Sequence, residues 1–159
     1  MARDYLQDAF QEAFRLATEG VRSGDGGPFG AVVVNAGRIV GRGHNRVVVR
    51  RDPTAHAEIE AIRDACARLG TFRLEGCEIY ASCEPCPMCH AAIVWAGIGK
   101  IVYGATREEA AAAGFADVRV REELEARLPS RRIPLQRALH SEAQEPFRAW
   151  AAKADRVQY

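Results

Sequence analysis

The sequence contains no apolar segment long enough to cross a membrane. Its longest nearly uncharged run, AAIVWAGIG at 91–99, is about half as long as the ~18 residues that indicate a spanning helix. The first residues, MARDYLQDAFQEAF, carry Arg3, Asp4 and Asp8 and lack the apolar core of a signal peptide. We therefore expect a cytoplasmic chain with no membrane partner.

Charge of one sign is not in excess either. Lys and Arg number 22 against 21 Asp and Glu, which gives a formal net charge of +1. This balance gives no general reason to expect nucleic acid as a partner. The 159 residues, 48% of them hydrophobic, contain no internal repeat or low-complexity tract. They predict one globular domain over 1–159.

An even set of cysteines, which a disulfide framework would need, is also missing. The five cysteines all lie between positions 66 and 89, and this usage is typical of a reducing compartment. Three of them, Cys83, Cys86 and Cys89, stand at intervals of three in SCEPCPMCH at 82–90. Taken alone, this spacing is compatible with a structural zinc site, a redox pair or a catalytic metal site.

Apolar periodicity and turn formers predict an α/β fold. A first helix is expected over 3 to about 20, followed by a hairpin around an Asn-Ala-Gly turn. A second helix begins near DPTAHAE and ends at Gly70. From 77 to 113, strand, helix, strand and helix alternate, which indicates parallel neighbours. Beyond 114 the pattern is mixed until a final helix in HSEAQEPFRAWAAKAD.

The stretch PCPMC predicts two thiolate ligands on one helix end. If Glu84-Pro85 opens the helix, proline occupies the first helical position, where its missing N–H costs nothing. Cys86 and Cys89 then share a face of the first turn, beside the positive end of the helix. Zinc binds such thiolates together with imidazole nitrogen, and three protein ligands leave a fourth position for water.

A second motif, HAE at 56–58, completes a catalytic pattern. The sequence H-x-E followed by P-C-x-x-C is the signature of zinc deaminases, in which the glutamate is an acid/base and not a ligand. We therefore predict one Zn²⁺ per chain, with His56, Cys86 and Cys89 as ligands and Glu58 as the proton shuttle. Zinc lowers the pKa of water toward neutrality, so the predicted reaction is hydrolytic deamination of an aminated heterocycle.

Two other interpretations use the same cysteines. Cys83 could be a fourth ligand of a structural zinc site, although such a site leaves Glu58 unexplained. A thioredoxin-like redox pair is compatible with CEPC or CPMC but leaves HAE without a role. We expect Cys66 and Cys77 to be packing residues.

With both motifs, the chain resembles the cytidine deaminase superfamily, and within it the small bacterial guanine deaminases. The resemblance extends over GGPFGAVVV, GHNRV, DPTAHAEIEAIRDAC, LEGCEIYASCEPCPMC, WAGI, AAGF and FRAW…Y. It implies a three-layer α/β/α fold with a five-stranded mixed central sheet. It also implies zinc-dependent deamination of guanine, a small nucleobase, by a homodimer in which segment 114–159 is exchanged between subunits.

The same resemblance implies a set of residues around the base. Asn45 would hydrogen-bond the purine edge, and Phe29, Ala57 and Trp95 would line the pocket. Asp117 and the terminal Tyr159 would reach a neighbouring active site. Each has a simpler interpretation: a core position for Phe29 and Trp95, a turn for Asn45, solvation for Asp117 and fraying for Tyr159.

Other functions share parts of this pattern. A tRNA adenosine deaminase has the same zinc motifs and needs a basic surface for the RNA backbone. Arginines do concentrate at 119–137, but glutamates are interspersed with them, which is typical of a solvated face. Guanosine, cytosine or aminotriazine deaminases would differ only in the pocket. A non-catalytic zinc module is the remaining alternative, and Glu58 argues against it.

Overall fold

The chain consists of two compact units, one up to Asp117 and one from Val118 onward. A computed structural model describes residues 2–127, 130–138 and 142–158, with side chains from residue 5 onward. Within those ranges no helix is both long enough and apolar enough to cross a membrane. The first unit contains all of the sheet.

The first unit has a mixed sheet with helices along the chain between its strands. Its elements are α1 (Ala2–Arg22), β1 (Gly30–Asn35), β2 (Arg38–His44), α2 (Val47–Arg50), α3 (Ala57–Leu69), β3 (Cys77–Cys83), α4 (Pro87–Trp95), β4 (Lys100–Ala105) and α5 (Arg107–Ala112). The strand order is β2-β1-β3-β4. β1 is antiparallel to both neighbours, and β3 and β4 are parallel, as the alternation of strand and helix predicted.

The expectation of five strands is wrong for the described residues, whose sheet has four. The stretch FADVRV, where valine and arginine alternate, does not supply a further strand. Val118–Glu125 instead forms a helix, α6, because VRV is followed by REELE, whose residues favour helices. The second unit also contains a short 3-10 turn (Glu142–Gln144) and the predicted final helix, α7 (Glu145–Ala152).

Alternation along the strands produces the three layers. Ala31 and Val33 face a core shared with α3 and α4. Val32 and Val34, which point to the opposite face, pack in a second core with α1. Successive strand residues face opposite sides of a sheet, so β1 is covered on both faces. The predicted α/β/α arrangement is confirmed.

Turn chemistry agrees with the sequence at two predicted points. Ala36 and Gly37, between β1 and β2, both have positive φ (47° and 75°), as the tightest hairpin turns require. Gly70 has φ 66°, ends α3, and donates its backbone N–H to the carbonyl of Cys66.

The helix α3 packs very closely against β2. A Cβ added at Gly43 would lie 2.3 Å from the carbonyl oxygen of Ala57 and 2.4 Å from the nitrogen of Ala61. At Gly41 it would lie 2.4 Å from the carbonyl oxygen of Ala61. The backbone of α3 therefore rests directly on the strand, and this contact fixes the start of α3.

We expect Gly43→Ala to destabilise the protein, because its Cβ would push α3 away from β2. The expected loss is about 2–3 kcal/mol in the free energy of unfolding, measured by chemical denaturation. Gly99→Ala is the control, since its added Cβ would meet only the Cys77 carbonyl at 3.9 Å. Equal stabilities of the two variants would contradict the close contact.

Candidate active site

His56 lies immediately before α3, in an extended conformation (φ −73°, ψ 158°). A turn centred on Asp52 precedes it: the Asp52 carboxylate accepts from the Thr54 backbone N–H (2.8 Å) and hydroxyl (2.7 Å). This turn belongs to the DPTAHAE stretch and places the His56 imidazole at the start of α3. Glu58 follows as the second residue of the helix.

Cys86 and Cys89 lie at the start of α4, although the helix begins two residues later than predicted. Pro87, not Pro85, occupies the first helical position, and Cys86 is the extended residue before it (ψ 167°). The reason is steric, because a residue that precedes proline is excluded from the helical region. Cys89 is therefore the third residue of the helix, and both sulfurs still face the same side.

The two helix starts bring three ligand atoms together. His56 Nδ1 lies 3.6 Å from Cys86 Sγ and 3.5 Å from Cys89 Sγ. In a tetrahedral zinc site with Zn–S of about 2.3 Å and Zn–N of about 2.0 Å, the N···S edge is about 3.5 Å. The residues therefore fit zinc in both chemistry and spacing. Within the described part of the chain, theirs is the one group of at least three potential ligands this close together.

Electrostatics at the cluster favour thiolate at Cys86. Hydrogen bonds from the Cys89 thiol and then from His56 lower the pKa of Cys86 to about 4. The same contact with Cys86, followed by burial, raises the pKa of Cys89. The pKa of His56 is raised, chiefly by its hydrogen bond to Cys86. Without metal, one sulfur thus carries the negative charge and the other a proton that metal binding would displace.

Cys83 does not join the cluster. It is the last residue of β3, is buried, and directs its thiol to the carbonyl oxygen of Thr106 at 3.7 Å. Burial, together with the negative charge of Glu58, raises its pKa to about 11. A four-ligand structural site is therefore not formed. Cys77 is buried in the core, and Cys66 packs against that core.

Glu58 is a buried acid next to the ligands. Its side chain is among the few charged ones that are nearly fully buried, at 7% exposure. Burial raises its pKa, and the Cys89 thiol hydrogen-bonds its carboxyl group. A carboxyl group with a raised pKa can accept and return a proton near neutral pH. Its position beside the cluster suits the predicted acid/base role.

Asn45 is buried at the end of the hairpin, where its side chain has a fixed orientation. Oδ1 accepts from the backbone N–H groups of Gly27 (3.1 Å) and Val47 (3.2 Å). Because both partners are donors, the oxygen must face them. The amide N–H donors of the same side chain then point elsewhere and remain the part suited to a ligand's acceptor.

The other predicted pocket residues lie in different surroundings. Phe29 packs edge-to-face with Phe115, with ring centroids 5.1 Å apart. Ala57 is the first residue of α3 and is fully buried. Trp95, the last residue of α4, is 74% exposed, so it is not the core aromatic of the simpler interpretation. Its contact with a base stays a prediction.

Asp117 ends the first unit and is partly buried, close enough to Arg107 for their charges to interact. Tyr159 lies outside the described residues. The base-contacting roles of both therefore stay predictions.

Sequence reasoning missed three residues around Asn45. Phe115 belongs to the AAGF stretch and His44 to GHNRV, but the sequence assigns no role to either of them or to Asp25. The signal was present in the sequence, since SGDGGP contains a single charged residue among turn formers and His44 directly precedes Asn45. Their contacts depend on tertiary structure, which local patterns do not reveal.

Comparison with known proteins identifies relatives over most of the chain. Residues 3–105 match the cytidine and deoxycytidylate deaminase zinc-binding region. Guanine deaminase of Bacillus subtilis is 46% identical over 94% of this chain and 96% of its own. An X-ray structure of guanine deaminase from that organism superimposes with a TM-score of 0.92, covering 96% of this chain and 98% of its own at 44% identity. A tRNA-specific adenosine deaminase of Aquifex aeolicus is 44% identical over 66% of this chain and 67% of its own.

Metal content separates the ligands from Cys83. We expect Cys86→Ser and Cys89→Ser to lower bound zinc from about one per chain to near zero, because hydroxyl replaces a thiolate ligand. Cys83→Ser should keep full zinc and serves as the matched control from the same motif. The measurement is elemental analysis of purified protein, and zinc loss in the Cys83 variant would refute the three-ligand assignment.

Proposed function

We propose a substrate and a residue-level mechanism for this chain, which belongs to the cytidine and deoxycytidylate deaminase family. It is a zinc-dependent aminohydrolase that converts guanine to xanthine and ammonia. The observation that supports the reaction is the cluster of His56, Cys86 and Cys89 beside a buried Glu58. The observation that supports guanine is the likeness to guanine deaminase over 94% of the chain.

Each part of the chemistry follows from a described feature. Zinc, held by the imidazole and two thiolates, would supply a Lewis acid that makes water a nucleophile at neutral pH. Glu58 takes one proton from water and delivers it to a ring nitrogen as the hydroxyl adds to the neighbouring carbon. It then takes the proton of that hydroxyl and delivers it to the departing amine, which leaves as ammonia. Its burial is what keeps its pKa high enough to hold the proton between these steps.

Recognition of the base rests on Asn45 and the aromatic pair. The Asn45 N–H groups, oriented by Gly27 and Val47, can donate to the acceptors N7 and O6 of guanine. Phe29, which packs edge-to-face with Phe115, offers an aromatic face on which a purine can stack. We propose that Ala57 leaves room for the ring, and that Trp95, Asp117 and Tyr159 add the remaining contacts.

The rival substrate, a tRNA adenosine, receives less support from the charges of the second unit. Two of its arginines pair with glutamates of the same unit. Arg132 contacts Glu122 at 2.7 Å, and Arg148 contacts Glu145 at 2.7 Å. Such pairing reduces the positive field available to a phosphate backbone. The tRNA-specific relative also matches only 66% of this chain.

We propose further that two copies associate, with segment 114–159 exchanged between them. The first unit leaves β4 at the edge of the described sheet, beside apolar side chains of α1. Leu6 (40%), Phe14 (47%) and Tyr103 (46%) are substantially exposed there. In the second unit, α6 and α7 bury no residue. Exposed apolar surface on both units supports an association.

Guanine turnover decides the main proposal. Ammonia release should be measured with guanine, guanosine, adenine, cytosine and a tRNA anticodon stem-loop, and we expect guanine to be the preferred substrate. Glu58→Gln should keep about one zinc per chain yet lose about 10²–10⁴-fold in kcat, because the amide cannot carry the proton. Preference for the stem-loop would favour the rival, and an active Glu58→Gln would refute the shuttle.

Complementation tests the exchange. Chains with Glu58→Gln and chains with Asp117→Asn should each be inactive as homodimers. If Asp117 serves the partner's site, a mixed dimer has one site with both residues intact, so random mixing should restore about a quarter of wild-type sites. If Asp117 serves its own site, mixing restores nothing. Unfolding and refolding of the mixture ensures exchange, and two refolded wild-type samples provide the reference.

A further inference from the structure

Asp25 and His44 form a close pair next to Asn45. His44 Nε2 lies 2.6 Å from Asp25 Oδ2, and the two side chains are only 22% and 20% exposed. A carboxylate only accepts, so Nε2 carries the proton of this hydrogen bond. The same hydrogen bond lowers the pKa of Asp25, which keeps the carboxylate charged.

Asp25 connects both sides of Asn45. Its side chain holds His44, the residue directly before Asn45. Its backbone carbonyl oxygen accepts from the N–H groups of Val48 and Val49, both at 3.1 Å, just after Asn45. One residue of the 23–28 loop therefore contacts the chain on both sides of Asn45, whose side-chain amide we propose to bind the base.

The pair is also packed against α1. A Cβ at Gly20 would lie 2.8 Å from Cδ2 of His44, so the imidazole rests on the backbone of that helix. The Asp25 backbone N–H donates to the Gly20 carbonyl oxygen at 2.9 Å. The ring thus has helix on one side and carboxylate at its Nε2, which leaves it one orientation.

The loop itself needs such an anchor. Three of the six residues in SGDGGP are glycine, which has the greatest backbone freedom to lose on ordering. Asp25 is its one charged side chain. The backbone N–H of Gly27 in the same loop donates to Asn45 Oδ1. Phe29 is the first residue after the loop. If the loop were not anchored, neither the Asn45 amide nor the aromatic ring of Phe29 would have a fixed position.

We propose that Asp25 and His44 are positioning residues for base recognition, acting through Asn45 and the 23–29 segment. The inference rests on the proposed function, since it assumes that Asn45 binds the base. Neither residue belongs to the metal cluster, so zinc binding and the proton steps at Glu58 should not depend on them. Their effect should therefore fall on affinity and not on the chemical step.

The decisive comparison is KM against kcat. We expect Asp25→Ala and His44→Ala to raise the KM for guanine about tenfold, with kcat within about twofold and zinc content unchanged. The double variant should cost little more than either single change, because the two residues act as one unit. Equilibrium dialysis of guanine in a Glu58→Gln background should show the same loss of affinity without turnover.

A matched control separates positioning from stability. Glu12 also connects α1 to β2: its carboxylate accepts from Arg42 Nε at 2.8 Å, and its side chain is 19% exposed. Glu12→Gln should lower Tm as much as the Asp25 change while leaving KM unaltered. If the KM shift in Asp25→Ala is no larger than in Glu12→Gln, or if kcat falls together with zinc content, the positioning role is wrong.

Conservative variants decide the matter if the alanine variants do not fold. The amide of His44→Gln places a nitrogen near the original Nε2 and should restore the hydrogen bond and a near-normal KM. His44→Asn is too short to reach Asp25 and should raise KM. Equal KM values for the two would overturn the inference alone. A wild-type protein that neither binds nor deaminates guanine would overturn the proposed function and this inference with it.

Discussion

The close approach of α3 to β2 is the constraint on which the candidate site depends. Ala57 stands between the ligand His56 and the acid Glu58, and its carbonyl oxygen occupies the space that a Cβ at Gly43 would need. The first turn of α3 therefore has one position relative to the sheet. The middle residue of HAE has to be small because it packs in the core, fully buried, while its neighbours face the chemistry. The motif is thus a packing requirement as well as a set of functional groups.

The second requirement is that another helix start meets the first. The sulfur atoms of Cys86 and Cys89 are placed at the N-terminal end of α4, where the helix dipole stabilises negative charge. His56 stands at the corresponding end of α3. Burial has the opposite effect on Glu58. It raises the pKa of the carboxyl group, so that Glu58 holds a proton more readily than a solvated carboxyl group does. A thiolate and a proton-holding acid can therefore occupy the same small volume, which hydrolytic deamination needs.

Local patterns predicted most of the fold and the metal ligands, because these depend on short spacings. Gly70 and the Ala36-Gly37 turn act within a few residues, and the structure agrees with the expected element ends there. The start of α4 was misplaced by two residues, since two prolines compete for the first helical position and only the restriction on the residue before Pro87 separates them. The five-stranded sheet came from the resemblance, whereas the composition of 118–125 favours helix.

Contacts between distant segments could not be read from the sequence in the same way. Asp25 and His44 are nineteen positions apart, and Phe29 and Phe115 belong to different ends of the first unit. Both pairs surround Asn45 or the segment that leads to it, and none has a distinctive spacing. The metal and its acid are thus specified by local motifs, while the pocket is specified by tertiary packing.

This separation, between a metal site specified by local motifs and a pocket specified by tertiary packing, is relevant to how one fold can act on different bases. Zinc and a buried glutamate would activate water toward any aminated ring carbon in the same way, so they cannot select guanine over adenosine. The region matched by the family ends at 105, and the tRNA-specific relative matches 66% of the chain, whereas guanine deaminase matches 94%. Selection must then come from side chains outside the metal motifs. The loop that orients Asn45 and the residues after 105 both lie outside the metal motifs.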